Sequence, residues 1–309
     1  MDLIGRDFLR TKGFSADELK LILDRASEMK SALRRRMGTP PYLEGKSIAM
    51  LFQKPSTRTR ISFDVGVYQL GGHPIYLNWA DLQLGRGETV SDTGRILGCY
   101  VDGIVARVFK HSDLEVLADS SPAPVINALS DEFHPCQALS DCLTILERKG
   151  RIEGVSVVFV GDGRSNVCQS LAEAVLQLGG NITVSSPAKY MPTEEFVKEL
   201  RGIAGKGGKI RLVEDPFEAV KGADVIYTDV WVSMGFESEA AERRSALGPY
   251  QVNSGLMRSA PPDAIVMHCL PAHRGEEITS EVIDGPRSAV WEQAENRLHV
   301  QKSIMSLIF

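Results

Sequence analysis

Apolar positions along the first part of the chain recur at helical spacing and then at strand spacing. Ser15-Ala16-Asp17-Glu18 has the form of a capping box, and Leu19, Ile22, Leu23, Ala26 and Leu33 follow on one helical face, so the chain is predicted to open on a long amphipathic helix. After the breaker Gly38-Thr39-Pro40-Pro41, the apolar run Ser47 to Phe52 predicts a buried strand, followed by a helical pattern that stops at Gly71-Gly72. The alternation continues with a strand near Ile75 to Leu77, a helix at 91–98, a strand at 103–108, a helix at 112–118 and a strand near Val125. A helix from His134-Pro135, with Leu139, Cys142, Leu143 and Leu146 on one face, runs to Gly150 and carries the chain out of this first series.

A second series begins there. Its predicted strands are 156–160, 182–184, 210–213, 225–228 and 265–268, with helices at about 165–178, 193–204 and 215–220. The last segment, 288–309, has a helical pattern and is expected to return and brace the first domain. Repeated strand–helix alternation specifies mostly parallel sheets. The expected architecture is therefore α/β, with two doubly wound domains at 1–148 (braced by 288–309) and 149–287. Each is a mostly parallel sheet flanked by helices, with the active site in the cleft between them. Ligands of open parallel sheets bind outside the carboxyl ends of strands, so the loops there are where chemistry is sought.

Composition narrows the function classes. A chain of 309 residues exceeds what a single hydrophobic core usually supports, and 43% hydrophobic with 24% charged residues is ordinary for a globular protein. No apolar run approaches the length that spans a bilayer, so a membrane role is not expected. The start, Met-Asp-Leu-Ile-Gly-Arg, lacks the pattern of a secretory signal, and a cytoplasmic location is expected. Five cysteines at 99, 136, 142, 168 and 269 contain no Cys-x-x-Cys pair, which argues against a disulfide framework and against a structural zinc site. A net charge of -5 offers nucleic acid no general attraction, so an anion site must be built locally, and a small-molecule substrate is expected.

Such a site is suggested by Phe52-Gln53-Lys54-Pro55-Ser56-Thr57-Arg58-Thr59-Arg60, between a buried strand and a helix. Free amides at a helix N-terminus, the helix dipole, the hydroxyls of Ser56, Thr57 and Thr59, and the fork of Arg58 all suit a phosphate. The plainer reading is a capped helix with two solvated arginines. Elsewhere, Arg107 taken alone is equally a surface ion pair, His134 a helix cap and Cys269 a small buried residue. Gly161-Asp162-Gly163 after a strand suggests a dinucleotide turn, but Asn166 stands where the third glycine of that fingerprint belongs. His73, His111 and His299 lack ligand partners at useful spacing and are expected to be structural, like the three tryptophans.

Ser56-Thr57-Arg58-Thr59-Arg60 after a strand resembles the carbamoyl-phosphate motif of the aspartate and ornithine carbamoyltransferase family. Gln83 in Leu82-Gln83-Leu84-Gly85-Arg86-Gly87-Glu88, Arg107 at a strand end, His134-Pro135-Cys136-Gln137 and Arg297 match further motifs, so the resemblance spans nearly the whole chain. It implies that the phosphate rests on the Ser56–Thr59 turn near Arg297, and that Thr59, Arg107 and His134 hold the carbamoyl oxygen. It also implies that Gln137 and the Leu270 carbonyl take the carbamoyl amide, across a cis Leu270-Pro271 bond. Two segments resemble the ornithine branch of the family. They are Val230-Trp231-Val232-Ser233-Met234-Gly235 after Asp229, and His268-Cys269-Leu270-Pro271, where aspartate enzymes carry His-Pro-Leu-Pro.

The resemblance then implies that ornithine is held by Asp229, Ser233 and Met234 through its α-ammonium end and by Asn166 at its carboxylate, with its side-chain amine beside Cys269. The implied reaction is transfer of a carbamoyl group from carbamoyl phosphate to that amine, with no cofactor and no metal. His273-Arg274-Gly275-Glu276-Glu277 resembles the family's mobile loop and reads as part of a lid. The family further implies a homotrimer in which the loop carrying Gln83 reaches the neighbouring subunit's site. The competing readings are a sister transferase for putrescine or an acylated ornithine, which would alter Ser233-Met234-Gly235, and a silent homologue, which would lack one of Arg58, Arg107, His134 or Cys269. This chain departs from the pattern only at Ser165, where many members have Asn, and at Gly94, where many have Ala.

Overall fold

The computed structural model describes residues 3–232 and 237–309, apart from the side chain of Glu237. Its chain order is α1 (Ala16–Arg34), β1 (Ser47–Phe52), α2 (Thr57–Gln69), β2 (His73–Asn78), α3 (Val90–Tyr100), β3 (Gly103–Arg107), α4 (His111–Ser120), β4 (Val125–Leu129) and α5 (Pro135–Lys149). Then follow β5 (Ser156–Val160), α6 (Asn166–Gln177), β6 (Asn181–Ser185), α7 (Glu194–Ile203), β7 (Ile210–Val213), α8 (Pro216–Ala219), β8 (Val225–Thr228) and α9 (Ala240–Leu247). The chain closes with α10 (Ser254–Ser259), β9 (Ile265–His268), α11 (Ser280–Ile283) and α12 (Val290–Ile308). Among the described residues no helix is long and apolar enough to cross a membrane.

Two compact units result, Met1–Ser140 with Asn296–Phe309, and Asp141–Glu295. The division falls inside α5 and inside α12, later in the chain than the 288 at which the helical pattern begins.

In the first unit a four-stranded parallel sheet has the order β2-β1-β3-β4. β1, β3 and β4 are almost wholly buried, which is why they read as continuous apolar runs, whereas the edge strand β2 is half-buried. Phe8 extends the β4 edge by a parallel bridge to Ile126, its N–H donating to the Val125 carbonyl at 2.8 Å. α1 begins at the expected capping box, Ser15 with Glu18, and buries Leu19, Ile22, Leu23, Ala26, Met29 and Lys30. Leu33 does not join that face. It is 40% exposed, because the helix ends one residue later at Arg34 and its final turn runs past the core.

α3 approaches the end of α4 closely. A Cβ on Gly94 would stand 2.4 Å from Ser120 Oγ, and one on Gly98 the same distance from Pro122 Cδ. A side chain at either position would therefore be crowded, which suits glycine there. The last turns of α12 cover α2 and α1: Met305 and Lys302 lie against Gly66, and Ser303 Oγ donates to the Ile22 carbonyl at 2.7 Å.

The second unit holds a five-stranded parallel sheet of order β7-β6-β5-β8-β9, with an apolar core built on Val158, Val160, Ile226, Val266 and the short helices α8, α10 and α11. Strand order reverses direction between β1 and β3 in one sheet and between β5 and β8 in the other. In open parallel sheets that reversal opens a crevice at the carboxyl ends of the two strands, where ligands bind. The segments following these four strands carry Ser56–Thr59, Arg107, Gly161–Asn166 and Asp229.

Candidate active site

The candidate residues of the first unit are organised by one hydroxyl. Ser56 caps α2, its Oγ accepting from the Thr59 amide at 3.3 Å, which turns Thr59 inward to a buried position. Thr59 Oγ1 accepts from Arg297 Nη2 at 2.8 Å and from Arg107 Nη1 at 3.5 Å, and Arg297 Nη1 donates to Gln137 Oε1 at 2.8 Å. Two distant arginines therefore converge on one first-turn threonine, and Gln137 joins them through Arg297. Thr57 and Arg58 remain exposed at the helix mouth, where first-turn amides and the dipole favour an anion. Arg60 faces elsewhere, its guanidinium 3.6 Å from the Tyr76 ring centroid. Of the two arginines in the motif, only Arg58 is free of that stacking and sits at the mouth.

His134 immediately precedes α5 and is buried with this cluster. Burial first, and the Arg297 and Arg107 cations second, hold its pKa well below the ordinary 6.5, so it is a neutral imidazole at pH 7. A neutral ring between two cations still offers one N–H donor and adds no third charge. Cys136, next along, is pushed up to about 12 by burial and is an inert thiol there. Gln83 stands apart, exposed on a short 3₁₀ turn at Gln83–Arg86.

The candidate residues of the second unit lie after β8 and β9. Cys269 Sγ donates to Asp229 Oδ1 at 3.0 Å. Burial raises the Asp229 carboxyl, while the His268 side chain and the Cys269 thiol pull it back down. Beneath them, fully buried His268 accepts the Leu270 amide on Nδ1 at 2.9 Å, which leaves its proton on Nε2, directed at Glu277 Oε1 3.0 Å away. Glu277 Oε1 also accepts the His273 amide at 2.6 Å. This relay fixes the turn in which Leu270 has φ +60° and the Leu270-Pro271 bond is cis.

The ligand atoms of Asp229, His268 and Cys269 lie within 4.8 Å of one another, as they would around a metal, and so do those of His273, Glu276 and Glu277. Both His268 nitrogens are already engaged, and Glu277 already bridges His268 and the His273 amide. The donors fit a hydrogen-bonded relay.

Asn166 is the first residue of α6, whose N-cap Ser165 accepts the Cys168 amide at 3.2 Å, a role that asparagine could also fill. The preceding turn is secured by a buried ion pair, Arg243 Nη1 to Asp162 Oδ2 at 2.7 Å, and the same nitrogen reaches the Trp231 carbonyl at 3.5 Å. Ser233 and Met234 lie outside the described residues.

Two family models match the chain: "Aspartate/ornithine carbamoyltransferase, carbamoyl-P binding domain" over residues 6–147, and "Aspartate/ornithine carbamoyltransferase, Asp/Orn binding domain" over 153–308. The chain belongs to the aspartate/ornithine carbamoyltransferase family. Within this family it is 56% identical over 310 residues to the ornithine carbamoyltransferase of Thermococcus kodakarensis, covering 100% of this chain and 98% of that one. It is 54% identical to the anabolic ornithine carbamoyltransferase of Pyrococcus furiosus at the same coverage. The solved ornithine carbamoyltransferase structure from Pyrococcus furiosus matches with a TM-score of 0.95 at 53% identity, covering 100% of this chain and 98% of that one. That from Gloeobacter violaceus matches at 0.87 with 41% identity, covering 99% of both.

Some supporting residues of this carbamoyltransferase carry no local signal. Glu277 reads from sequence as part of a lid, yet its carboxylate is fully buried on His268. Gln293 accepts the His268 amide at 2.9 Å and donates to Asp141 Oδ1 at 2.7 Å, a bond across 152 positions that no spacing rule detects. Asp162 and Arg243, 81 positions apart, are equally invisible as a pair.

Proposed function

We infer that this chain is an ornithine carbamoyltransferase, converting carbamoyl phosphate and L-ornithine to L-citrulline and phosphate. The observation that carries the reading is the convergence of Arg107 and Arg297 on the Thr59 hydroxyl at a capped helix N-terminus, with Gln137 bonded to Arg297 and neutral His134 beside them. The Asp229–Cys269 pair after β8 and β9, within the His268-Cys269-Leu270-Pro271 sequence, supports ornithine as acceptor.

The phosphate sits on the Ser56–Thr59 amides and hydroxyls with Arg58, and Arg297 lies nearby. The carbamoyl oxygen takes hydrogen bonds from Thr59, Arg107 and His134, and the carbamoyl amide donates to Gln137 and to the Leu270 carbonyl. Asp229 holds the ornithine α-ammonium, Asn166 the α-carboxylate, and Ser233 and Met234 complete that contact. The neutral side-chain amine attacks the carbamoyl carbon, and negative charge grows on the carbonyl oxygen. Preorganised donors stabilise that charge far better than water would, because they need no reorganisation. The C–O bond to phosphate then breaks, the attacking nitrogen passes its extra proton to the departing phosphate, and the phosphate leaves on the turn that bound it. No cofactor takes part.

An unperturbed ammonium of this kind titrates near ~10, like lysine, so turnover rises toward alkaline pH as the amine is freed. A sister transferase would use another acceptor. The test is citrulline formation from carbamoyl phosphate with ornithine, aspartate and putrescine compared side by side. Turnover with ornithine far above the others is expected, and none with ornithine would overturn the assignment. We further propose a homotrimer in which exposed Gln83 completes the site of a neighbouring subunit.

A further inference from the structure

His111 is not among the residues assigned to either substrate, yet it ties together the two loops that present Arg107 and His134. Arg107 ends β3, and the loop Val108-Phe109-Lys110 leads directly to His111 at the first turn of α4. His134 follows the neighbouring loop Ser130-Asp131-Glu132-Phe133 after β4. Three bonds join the two loops. The His111 amide donates to Asp131 Oδ1 at 2.8 Å, so α4, whose own N-cap Lys110 makes no side-chain cap, is capped from the other loop. The Asp131 amide donates to the Phe109 carbonyl at 3.1 Å. The third is His111 Nδ1 to Ser130 Oγ at 2.8 Å, a fully buried contact.

The direction of the third bond follows from its neighbours. Ser130 Oγ accepts the Phe133 amide at 3.1 Å. Ser130 Oγ also lies 3.3 Å from the Phe133 carbonyl, but that oxygen already receives the Ser130 amide at 2.9 Å and Asn127 Nδ2 at 3.3 Å, so the hydroxyl proton is better placed on the closer His111 Nδ1. Burial favours the neutral ring this requires, and holds His111 below its ordinary pKa. The ring also packs edge-on against Phe133, centroids 5.1 Å apart, and Phe133 is the residue bonded to His134.

We propose that His111, acting through Ser130 and Phe133, is a positioning residue that sets His134 against Arg107 for carbamoyl transfer. This rests on the assignment of those two residues to the carbamoyl oxygen. Misplacement of one such donor loses transition-state stabilisation while leaving the ornithine contacts in the other unit untouched.

The test uses full-length His111→Phe, which keeps the ring against Phe133 but removes the acceptor, Ser130→Ala, which removes the hydroxyl with little change of volume, the double variant, and His111→Asn, whose amide oxygen stands near the place of Nδ1. Expected for both His111→Phe and Ser130→Ala is a fall in kcat of about tenfold with ornithine KM unchanged. The double variant should be no worse than Ser130→Ala alone, since that change already removes the His111 bond along with the one from the Phe133 amide. His111→Asn should recover most of the loss. Additive effects, an ornithine KM that moves with kcat, or Ser130→Ala at wild-type rate would each overturn the proposal. Were His111→Phe to fail to fold, Ser130→Ala and His111→Asn still decide it. A wild-type chain without activity would instead sink the functional reading and this inference with it, whereas an active wild type with unaffected variants sinks the inference alone.

Discussion

Replacing His134 by asparagine should flatten the acid side of this protein's stability curve. His134 is buried beside Arg107 and Arg297, and its folded pKa lies well below the ordinary 6.5. Unfolded, the same ring takes a proton near 6.5; folded, it does not. Stability from this residue is therefore fully present above that pH and is lost as pH falls through the window below it, where the unfolded chain alone gains the proton. For a ring that stays neutral in the fold, lowering pH from about 7 to about 5.5 costs about 1.3 kcal/mol.

Asparagine does not titrate, so the variant should lose that much less than wild type over the same interval, whatever its stability at neutral pH. His111, also lowered by burial, and Asp7, Glu132 and Asp229, raised by it, are present in both proteins and cancel in the comparison. The assay is urea unfolding of both chains at the two pH values, in buffer free of phosphate, because an anion on the arginine cluster would favour the charged ring. Parallel losses in the two proteins would refute the reasoning, since His134 would then be charged, or equally solvated, in the fold.

Arg243→Ala should destabilise the chain by about 3–5 kcal/mol in the same unfolding assay, because it leaves the buried Asp162 carboxylate without the guanidinium 2.7 Å away. A loss under about 1 kcal/mol would mean that the pair is effectively solvated. Mixing inactive Arg58→Ala and Gln83→Ala chains should restore part of the citrulline-forming activity if trimers share sites through Gln83. Mixed trimers that stay inactive would end that part of the proposal.

Much of the fold was legible because its rules are local. β1 and β3 are buried on both faces and so appear as unbroken apolar runs, Ser15 with Glu18 announces a helix start, and repeated strand–helix alternation leaves few arrangements other than a parallel sheet. The short helices α9 to α11 were not legible, since four to eight residues carry too little periodicity to stand out. Leu33 fits the apolar stripe of α1 and is nonetheless exposed, because periodicity says which face is apolar and not where the core beneath it ends.

The candidate site divides in the same way. Most of the motif residues could be named from short strings that follow a strand end, Gln83 on its 3₁₀ turn and Arg297 within α12 being exceptions. What the chain by itself determined was this set of chemical groups and the kind of element each one terminates. Tertiary structure decided which of them meet. Arg297 reaches Thr59 across 238 positions, His268 takes its tautomer from Glu277 and the Leu270 amide, and His134 loses its charge to burial beside two arginines. The reason is that helix and strand preferences act over a few neighbouring residues, whereas strand order, desolvation and the direction of a buried hydrogen bond depend on what the rest of the chain brings alongside.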